Sequence, residues 1–433
     1  MHATAFQRTS PSSPARAPTI IRPSGFRPLD ERAIALTDFF LDSVQNTKYK
    51  QLREVGEKFG MAHKNPDGLD SLLKYLFSGD GEKYLHSLKL FPFNIIDSEF
   101  ELDTKLSLGC LLATLYSHPN LQVVDYIDAA NYRAWRQDEW GYKTIVMSLP
   151  TYLDWGEPIN KEEKANMGNK PDRFLAVMQH IFFIHALVGY GAKIILLRPS
   201  ENCPEGVFTR DILIAVDGKI LRAGMVAPIR QNEQEYVKNA LVPPPEAKVE
   251  WGNLFLDKPK GAILLGVGDR TNMEGAKWVQ HVAGSSYEVL PIHTKEGVLH
   301  LDCAFSRVGQ MLYPGALENP KDAELLLKLY NRLTLLNEHQ AKFLLANLIS
   351  VHRKDSSSDL NLFVSASMLN LEDPAAYVLP TNSTPNIAPK SDPNATRSPV
   401  PLFHTLDATV YPVNLSEVTK AEGAHRCSTS PIL

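Results

Sequence analysis

Cysteine is scarce in this chain: four residues, Cys110, Cys203, Cys303 and Cys427, are spread over 433 positions. That number and spacing exclude a disulfide-built scaffold, and the absence of any CxxC pair excludes a zinc knuckle. A reducing, cytoplasmic setting fits them. Long apolar runs are missing too. The most apolar stretches, Ile181–Val188 and Ile194–Leu197, fall far short of the roughly 18 to 20 residues that a membrane span requires. Charge of one sign is not concentrated either: 45 Lys and Arg against 49 Asp and Glu leave a net charge of −4. Without a basic block there is no footing for a sequence-independent grip on nucleic-acid phosphates or acidic lipid. His180 and His185 miss the i,i+4 register that puts two ligands on one helix face, so no metal site is expected. No repeat at a solenoid period is visible.

What remains is the composition of a globular chain, 44% hydrophobic and 22% charged, long enough to bury a large core. Residues 1–28 hold Arg8, Arg16, Arg22 and Arg27 and no acid, partly resembling an organelle transit peptide. Pro11, Pro14, Pro18, Pro23 and Pro28 would interrupt the helix such a peptide forms, so a disordered tail is expected. Residues 29–142 read as a small α-helical domain. There Ala33, Leu36, Phe40 and Val44, then Leu69, Leu72, Leu73 and Leu76, then Leu108, Leu111, Leu112 and Leu115 fall at three-to-four spacing.

From Lys143 the pattern changes. Thr144–Leu149, Ile194–Leu197, Val207–Val216, Ala262–Gly266, Tyr287–Pro291 and Val298–Phe305 read as buried strands. Asp172–Gly189, Gln231–Leu241 and Met273–Val282 read as helices between them, and Lys321 to His352 as one long buried helix. This alternation predicts a catalytic domain of α/β or α+β class over residues 143–433. Residues 380–401, dense in Pro, Asn, Ser and Thr, read as a surface insertion.

Chemistry-bearing residues gather where these runs end: Phe208-Thr209-Arg210-Asp211, Glu250-Trp251-Gly252-Asn253, Gly268-Asp269-Arg270-Thr271-Asn272, His300-Leu301-Asp302 and Arg426-Cys427-Ser428. Singly each has a bland explanation, as a turn cap, a surface ion pair or a packed thiol. Together a thiol, an imidazole and several carboxylates suit attack on a planar, cationic carbon. Carboxylates bind a guanidinium through paired, charge-assisted hydrogen bonds, and the bound cation in turn favours thiolate. Cys303, in an apolar setting, reads as a buried structural thiol.

The set PEGVFTRD at 204–211, EWGN at 250–253, GVGDRTN at 266–272, LHLD at 299–302 and HRCSTSP at 425–431 resembles, in this order, the guanidino-modifying (pentein) superfamily. Its members are arginine deiminases, dimethylarginine dimethylaminohydrolases and amidinotransferases. The resemblance implies an α+β fold: a pentein α/β propeller of ββαβ units with pseudo-fivefold symmetry and a central active site, here following the helical domain. It places Cys427 as nucleophile, His300 as general acid and base, and Asp211 and Glu250 as the carboxylates that hold the guanidinium. Asp302 matches a second carboxylate that meets substrate or orients the histidine. Arg270 and Arg230 match arginines that hold the amino-acid carboxylate. Glu205, Leu149, Phe208 and Arg210 fall at substrate-pocket positions, and Trp251, where a glycine is usual, is expected to reshape the pocket wall.

The implied enzyme is a cofactor-free, metal-free hydrolase that turns arginine or an Nω-methylated arginine into citrulline plus ammonia or a methylamine through a covalent S-alkylthiouronium. Its expected partner is the small guanidino substrate, with neither nucleic acid nor membrane, and a homo-oligomer is left open. FTRD and HLD lean toward deiminases, the RTN motif toward dimethylarginine hydrolases. The alternatives are an amidinotransferase, which shares the first half-reaction, and a non-catalytic pentein-like binding module.

Overall fold

The computed structural model describes residues 25–45, 120–131, 143–342, 344–352, 360–365 and 408–431. The chain begins with helix α1 (Glu31–Gln45), then strands β1 (Leu121–Val124), β2 (Ile127–Asp128) and β3 (Thr144–Ser148). Helix α2 (Arg173–Gly189), capped by the Asp172 carboxylate on the Leu175 N–H, crosses over to β4 (Lys193–Leu197), which lies parallel to β3 with β1 on its other edge. Next, β5 (Leu213–Val216) and β6 (Lys219–Arg222) form an antiparallel hairpin. Its two-residue turn, Asp217-Gly218, has φ of 46° and 80°, the left-handed geometry that the right-handed twist of a hairpin selects. A 3₁₀ segment, Pro228–Tyr236, leads to β7 (Val237–Lys238) beside β2, and the chain then returns parallel to β6 at Leu241.

The same pattern recurs. Strands β8 (Leu254–Asp257) and β9 (Ala262–Val267) are antiparallel, and helix α3 (Met273–Ala283) carries the chain to β10 (Glu288–His293), parallel to β9. Then β11 (Phe305–Ser306) and β12 (Met311–Leu312) pair antiparallel, with helix α4 (Pro320–Leu329) leading to a parallel β13 (Thr334–Leu335). Strands β14 (Ile349–His352), β15 (Leu360–Ser365) and β16 (Ala408–Val413) repeat the antiparallel-then-parallel order. Finally β17 (Ser430–Pro431) lies antiparallel to β3 and supplies the missing first strand of the β3-α2-β4 unit. Five such units account for the pseudo-fivefold propeller.

The helical domain expected over 29–142 is not separate where it is described. Ala33, Leu36, Phe40, Leu41 and Val44 of α1 share one buried cluster with Phe174, Ile181, Ile145 and Leu196, and β1 is a strand of the first sheet. The tail boundary shifts as well, since the Arg27 N–H donates to Asp154 at 2.9 Å and the Pro28 carbonyl accepts from Arg173. Three expected elements change type. Val207–Val216 contains a helical turn, Thr209–Ile212; Gln231–Leu241 is a 3₁₀ segment and a strand; Val298–Phe305 contains a 3₁₀ turn, Leu301–Cys303. The expected helix from Lys321 to His352 ends at Leu329. Its leucines lay on several faces because they serve two cores: Leu326 packs with Phe305 and Leu312, whereas Leu336, Leu345 and Leu348 pack with Val308 and Met311. The leucine series at 69–76 and 108–115, Cys110 and the insertion at 380–401 lie outside the described residues. No helix among the described residues is long and apolar enough to cross a membrane.

Candidate active site

Each unit begins with a tight turn just before its first strand, and the five turns meet. Asp211 lies on the turn Thr209–Ile212 ahead of β5, and Glu250 caps the turn Trp251–Asn253 ahead of β8. His300 caps the turn Leu301–Cys303, which carries Asp302, ahead of β11. Asn347 precedes β14 and Cys427 precedes β17. Cross-bonds lock the turns together. The Arg210 N–H donates to the Cys427 carbonyl at 3.0 Å, and Asn253 accepts from the Leu301 N–H at 2.8 Å while donating to the Thr271 hydroxyl at 3.0 Å. Gly252 permits a close approach: a Cβ there would stand 2.7 Å from the His300 ring and 2.8 Å from Asp211 Oδ1.

The His300 imidazole is fully buried, with Nε2 at 2.9 Å from Glu250 Oε2 and Nδ1 at 3.5 Å from Asp211 Oδ1. Burial disfavours its charged form, but the Asp211, Glu250 and Asp302 carboxylates outweigh burial and raise its pKa. Burial pushes Glu250 the opposite way from its partners; the His300 hydrogen bond and charge, with Arg270 and Arg230, win and bring it down to about 2. The two shifts agree on an imidazolium–carboxylate pair. Asp302 sits against the Cys427 sulfur, its oxygens 3.8 and 3.9 Å away, and also 3.7 Å from the Cys303 sulfur and 3.5 Å from Arg426. A hydrogen bond from Cys303 favours the Cys427 thiolate, yet burial and the Asp302 and Asp211 charges prevail, and the thiol pKa is raised.

A small cavity opens on Cys427, lined also by Glu205, Phe208, Asp211, Arg230 and Glu422. It shares Glu422 with an outer cleft of about 470 Å³ that reaches Lys161, Tyr313 and Cys303, a volume in the range of small-molecule sites. Glu205 and Glu422 are pushed up to about 8 and about 7, chiefly by burial. Among the described residues no group of three or more His, Cys, Asp or Glu is arranged to hold a metal ion.

Several expected roles are redrawn. Glu250, expected to hold the guanidinium, spends both oxygens on protein: Oε2 on His300, Oε1 on the Val226 N–H at 2.9 Å and on Arg270 at 3.7 Å. It orients the histidine, whereas Asp302, expected to meet substrate or His300, faces the thiols. Arg230 does not present a free guanidinium to a substrate carboxylate; it pairs with Glu233 and Asp211 at 2.7 Å each and with Glu205 at 3.6 Å. Arg270 donates to the Ile159 carbonyl at 2.8 Å. Leu149 packs in the core with Leu153 and Phe174, and Arg210 is fully buried, joined to the site through its backbone. Trp251 is turned into the core beside Trp278, not into the pocket wall. Cys203 is buried and its thiol pushed up to about 12. Cys303, expected to be purely structural, lies within hydrogen-bond reach of Cys427.

Sequence reasoning missed Asn347, Glu233 and Glu422. The first two fell inside stretches read as helix. Glu422 has φ of +62°, a left-handed backbone conformation that nothing in the local sequence announces.

Fold and site together define a guanidino-modifying enzyme of the pentein superfamily, of guanidino hydrolase or amidinotransferase type. The chain belongs to the eukaryotic N,N dimethylarginine dimethylhydrolase family, whose model matches residues 157–376. That span contains Asp211, Glu250, His300, Asp302 and Asn347 and stops before Cys427. A curated relative, the uncharacterized protein YkgA of Bacillus subtilis (strain 168), is 24% identical over 299 residues, 67% of this chain and 91% of the relative. Among solved structures, the N-terminal domain of ArgZ, an arginine dihydrolase from the ornithine-ammonia cycle in cyanobacteria, was captured as a mutant with substrate bound. It matches with a TM-score of 0.52 and 18% identity, covering 67% of this chain and 99% of that one. Unliganded AgrE matches with a TM-score of 0.53 and 19% identity, over 67% of this chain and 39% of that one. These structural likenesses establish the fold.

Proposed function

We propose that the protein is a cysteine-dependent hydrolase of arginine or an Nω-methylated arginine, releasing citrulline and ammonia or a methylamine. The observation that supports this most is one small cavity lined by both Cys427 and the Asp211 carboxylate, with the imidazolium His300 buried behind Asp211, its Nδ1 3.5 Å from Oδ1. A docked guanidinium lies against Asp211 and favours the Cys427 thiolate, whose proton leaves as the cation binds. The sulfur adds to the guanidinium carbon and gives a neutral tetrahedral adduct. His300 passes its proton to the departing nitrogen, the C–N bond breaks, and a thiouronium cation remains. Neutral His300 then takes a proton from water as the water oxygen adds to carbon. The C–S bond breaks, the thiolate regains a proton, and the ureido product leaves.

The test is a ureido-product assay on the purified full chain with arginine, monomethylarginine and asymmetric dimethylarginine, beside Cys427→Ser and repeated with glycine or ornithine as amine acceptor. Citrulline formed without acceptor and lost in the variant supports the hydrolase. A new guanidino product that requires the acceptor moves the protein to the amidinotransferases, and absence of every product overturns turnover on these substrates.

A further inference from the structure

The fifth propeller unit places a side chain at the site that the mechanism above does not use. Four units contribute Cys427, Asp211, Glu250 and the His300–Asp302 pair from the turns before their first strands; the turn before β14 contributes Asn347. Asn347 is 1% exposed, and its carboxamide is spent entirely on the nucleophile's turn. Oδ1 accepts from the Arg426 N–H at 2.9 Å and from the Cys427 N–H at 3.2 Å. Those two donors fix which end of the amide is oxygen, and so aim Nδ2–H at the Cys427 sulfur, 2.9 Å away.

The sulfur needs such a donor. Asp302 and Asp211 oppose its ionisation, and burial adds to them. The nearby cations are engaged elsewhere: Arg426 pairs with Asp302 at 3.5 Å and donates to the Leu254 carbonyl, Arg210 acts on Asp302, and His300 is paired with Glu250. Beside the Cys303 thiol and the Ala424 backbone N–H, the Asn347 amide is a neutral donor that the structure brings to this sulfur, and it comes from a separate propeller unit. A neutral donor favours thiolate without competing for a cationic substrate as an arginine would. A hydrogen bond to an ionised acceptor is roughly twice as strong as one between neutral groups, so this contact strengthens on ionisation.

We propose that Asn347 is the positioning residue of the nucleophile: it fixes the Cys427 turn through two backbone N–H groups and stabilises the thiolate through Nδ2. This deepens the cysteine-hydrolase reading and rests on it for its catalytic meaning. The discriminating variant is Asn347→Asp, which keeps an acceptor for both N–H groups but sets a carboxylate where the donor was. Iodoacetamide alkylation of Cys427, followed across pH on the full chain and resolved from Cys303 by peptide mass, reads the thiol directly and without turnover.

In Asn347→Asp the midpoint of the alkylation profile should rise by about one pH unit or more. The kcat for guanidino hydrolysis should fall at least about tenfold with little change in KM, and the acid limb of the kcat profile should move up with the midpoint. Asn347→Ala, which removes the donor without adding charge, should move the midpoint in the same direction and serves if the first variant does not fold. An unchanged midpoint in a folded variant overturns the proposal and leaves the hydrolase reading standing. A shifted midpoint together with full activity of Cys427→Ser supports the thiolate contact and overturns the hydrolase reading instead.

Discussion

The His300 Nε2–H donates to Glu250 Oε2 at 2.9 Å, and both side chains are completely withdrawn from water. Glu250→Gln keeps the shape and removes the charge. His300 should then lose its proton at lower pH, because a carboxylate that raises its pKa has gone. Since the leaving group needs protonated His300, the alkaline limb of the kcat profile should move to lower pH, with kcat down about 10²-fold. A pH-rate series on wild type and variant checks the direction; an alkaline limb that stays in place would show that Glu250 does not set the His300 proton.

Two thiols share Asp302, but only Cys427 opens onto the small cavity. Cys427→Ser should abolish product formation, whereas Cys303→Ser should retain activity within about tenfold, the scale of losing one supporting hydrogen bond. The reverse pattern in the citrulline assay would exchange the two roles.

Gly252→Ala should damage catalysis out of proportion to its size. The added methyl would meet the His300 ring at 2.7 Å and Asp211 at 2.8 Å, so one of them must move. Overpacking of this kind costs about 1 to 3 kcal/mol. The expected outcome is a lowered Tm and a kcat reduced by at least about tenfold, because misplacement of a reacting group is costly; wild-type kcat would mean that the turns yield freely.

Arg230 is 2% exposed and surrounded by Glu233, Asp211 and Glu205. Arg230→Met leaves those carboxylates without their cation, and breaking a buried pair from one side costs about 3 to 5 kcal/mol. Denaturant unfolding should show that loss. A variant of unchanged stability and raised KM would instead restore the role expected from sequence, a clasp on the substrate carboxylate.

Two buried histidines make the fold acid-sensitive away from the site. Burial lowers His180 and His425 to about 3, from an ordinary value of 6.5, and each packs its ring near Phe183. A group with a depressed folded pKa binds its proton first in the unfolded chain. Between pH 6.5 and 3, therefore, stability falls as pH falls, at up to about 1.4 kcal/mol per pH unit for each histidine. Urea midpoints at pH 7 and pH 4.5 should show a smaller drop in His180→Phe than in wild type; equal drops would put the acid sensitivity elsewhere.

The legible part of this protein was the part that chemistry writes locally. Asp172–Gly189 and Met273–Val282 read as helices and fold as α2 and α3, whose starts are set by neighbours in sequence, Asp172 accepting from the Leu175 N–H and Asn272 from the Gly275 N–H. Cys427, His300, Asp211 and Glu250 stand out in the sequence as polar groups at the ends of apolar runs, and the structure brings the turns that carry them together. Leucine spacing after Lys321 was not a safe guide, because a helix face and two separate cores can demand the same residues.

The sequence by itself determined the alternation of elements that builds a propeller unit and set titratable and nucleophilic side chains at the ends of its apolar runs. Tertiary structure alone decided their assignments: that Glu250 holds His300, that Asp302 lies on the sulfur, that Arg230 closes on three acids and that Asn347 reaches Cys427 across 80 positions. The reason is physical. A side chain's role depends on which opposite charge or donor lies within about 3 to 4 Å of it after burial has removed water as a competitor. Here the five turns that supply those neighbours come from parts of the chain as far apart as Asp211 and Cys427.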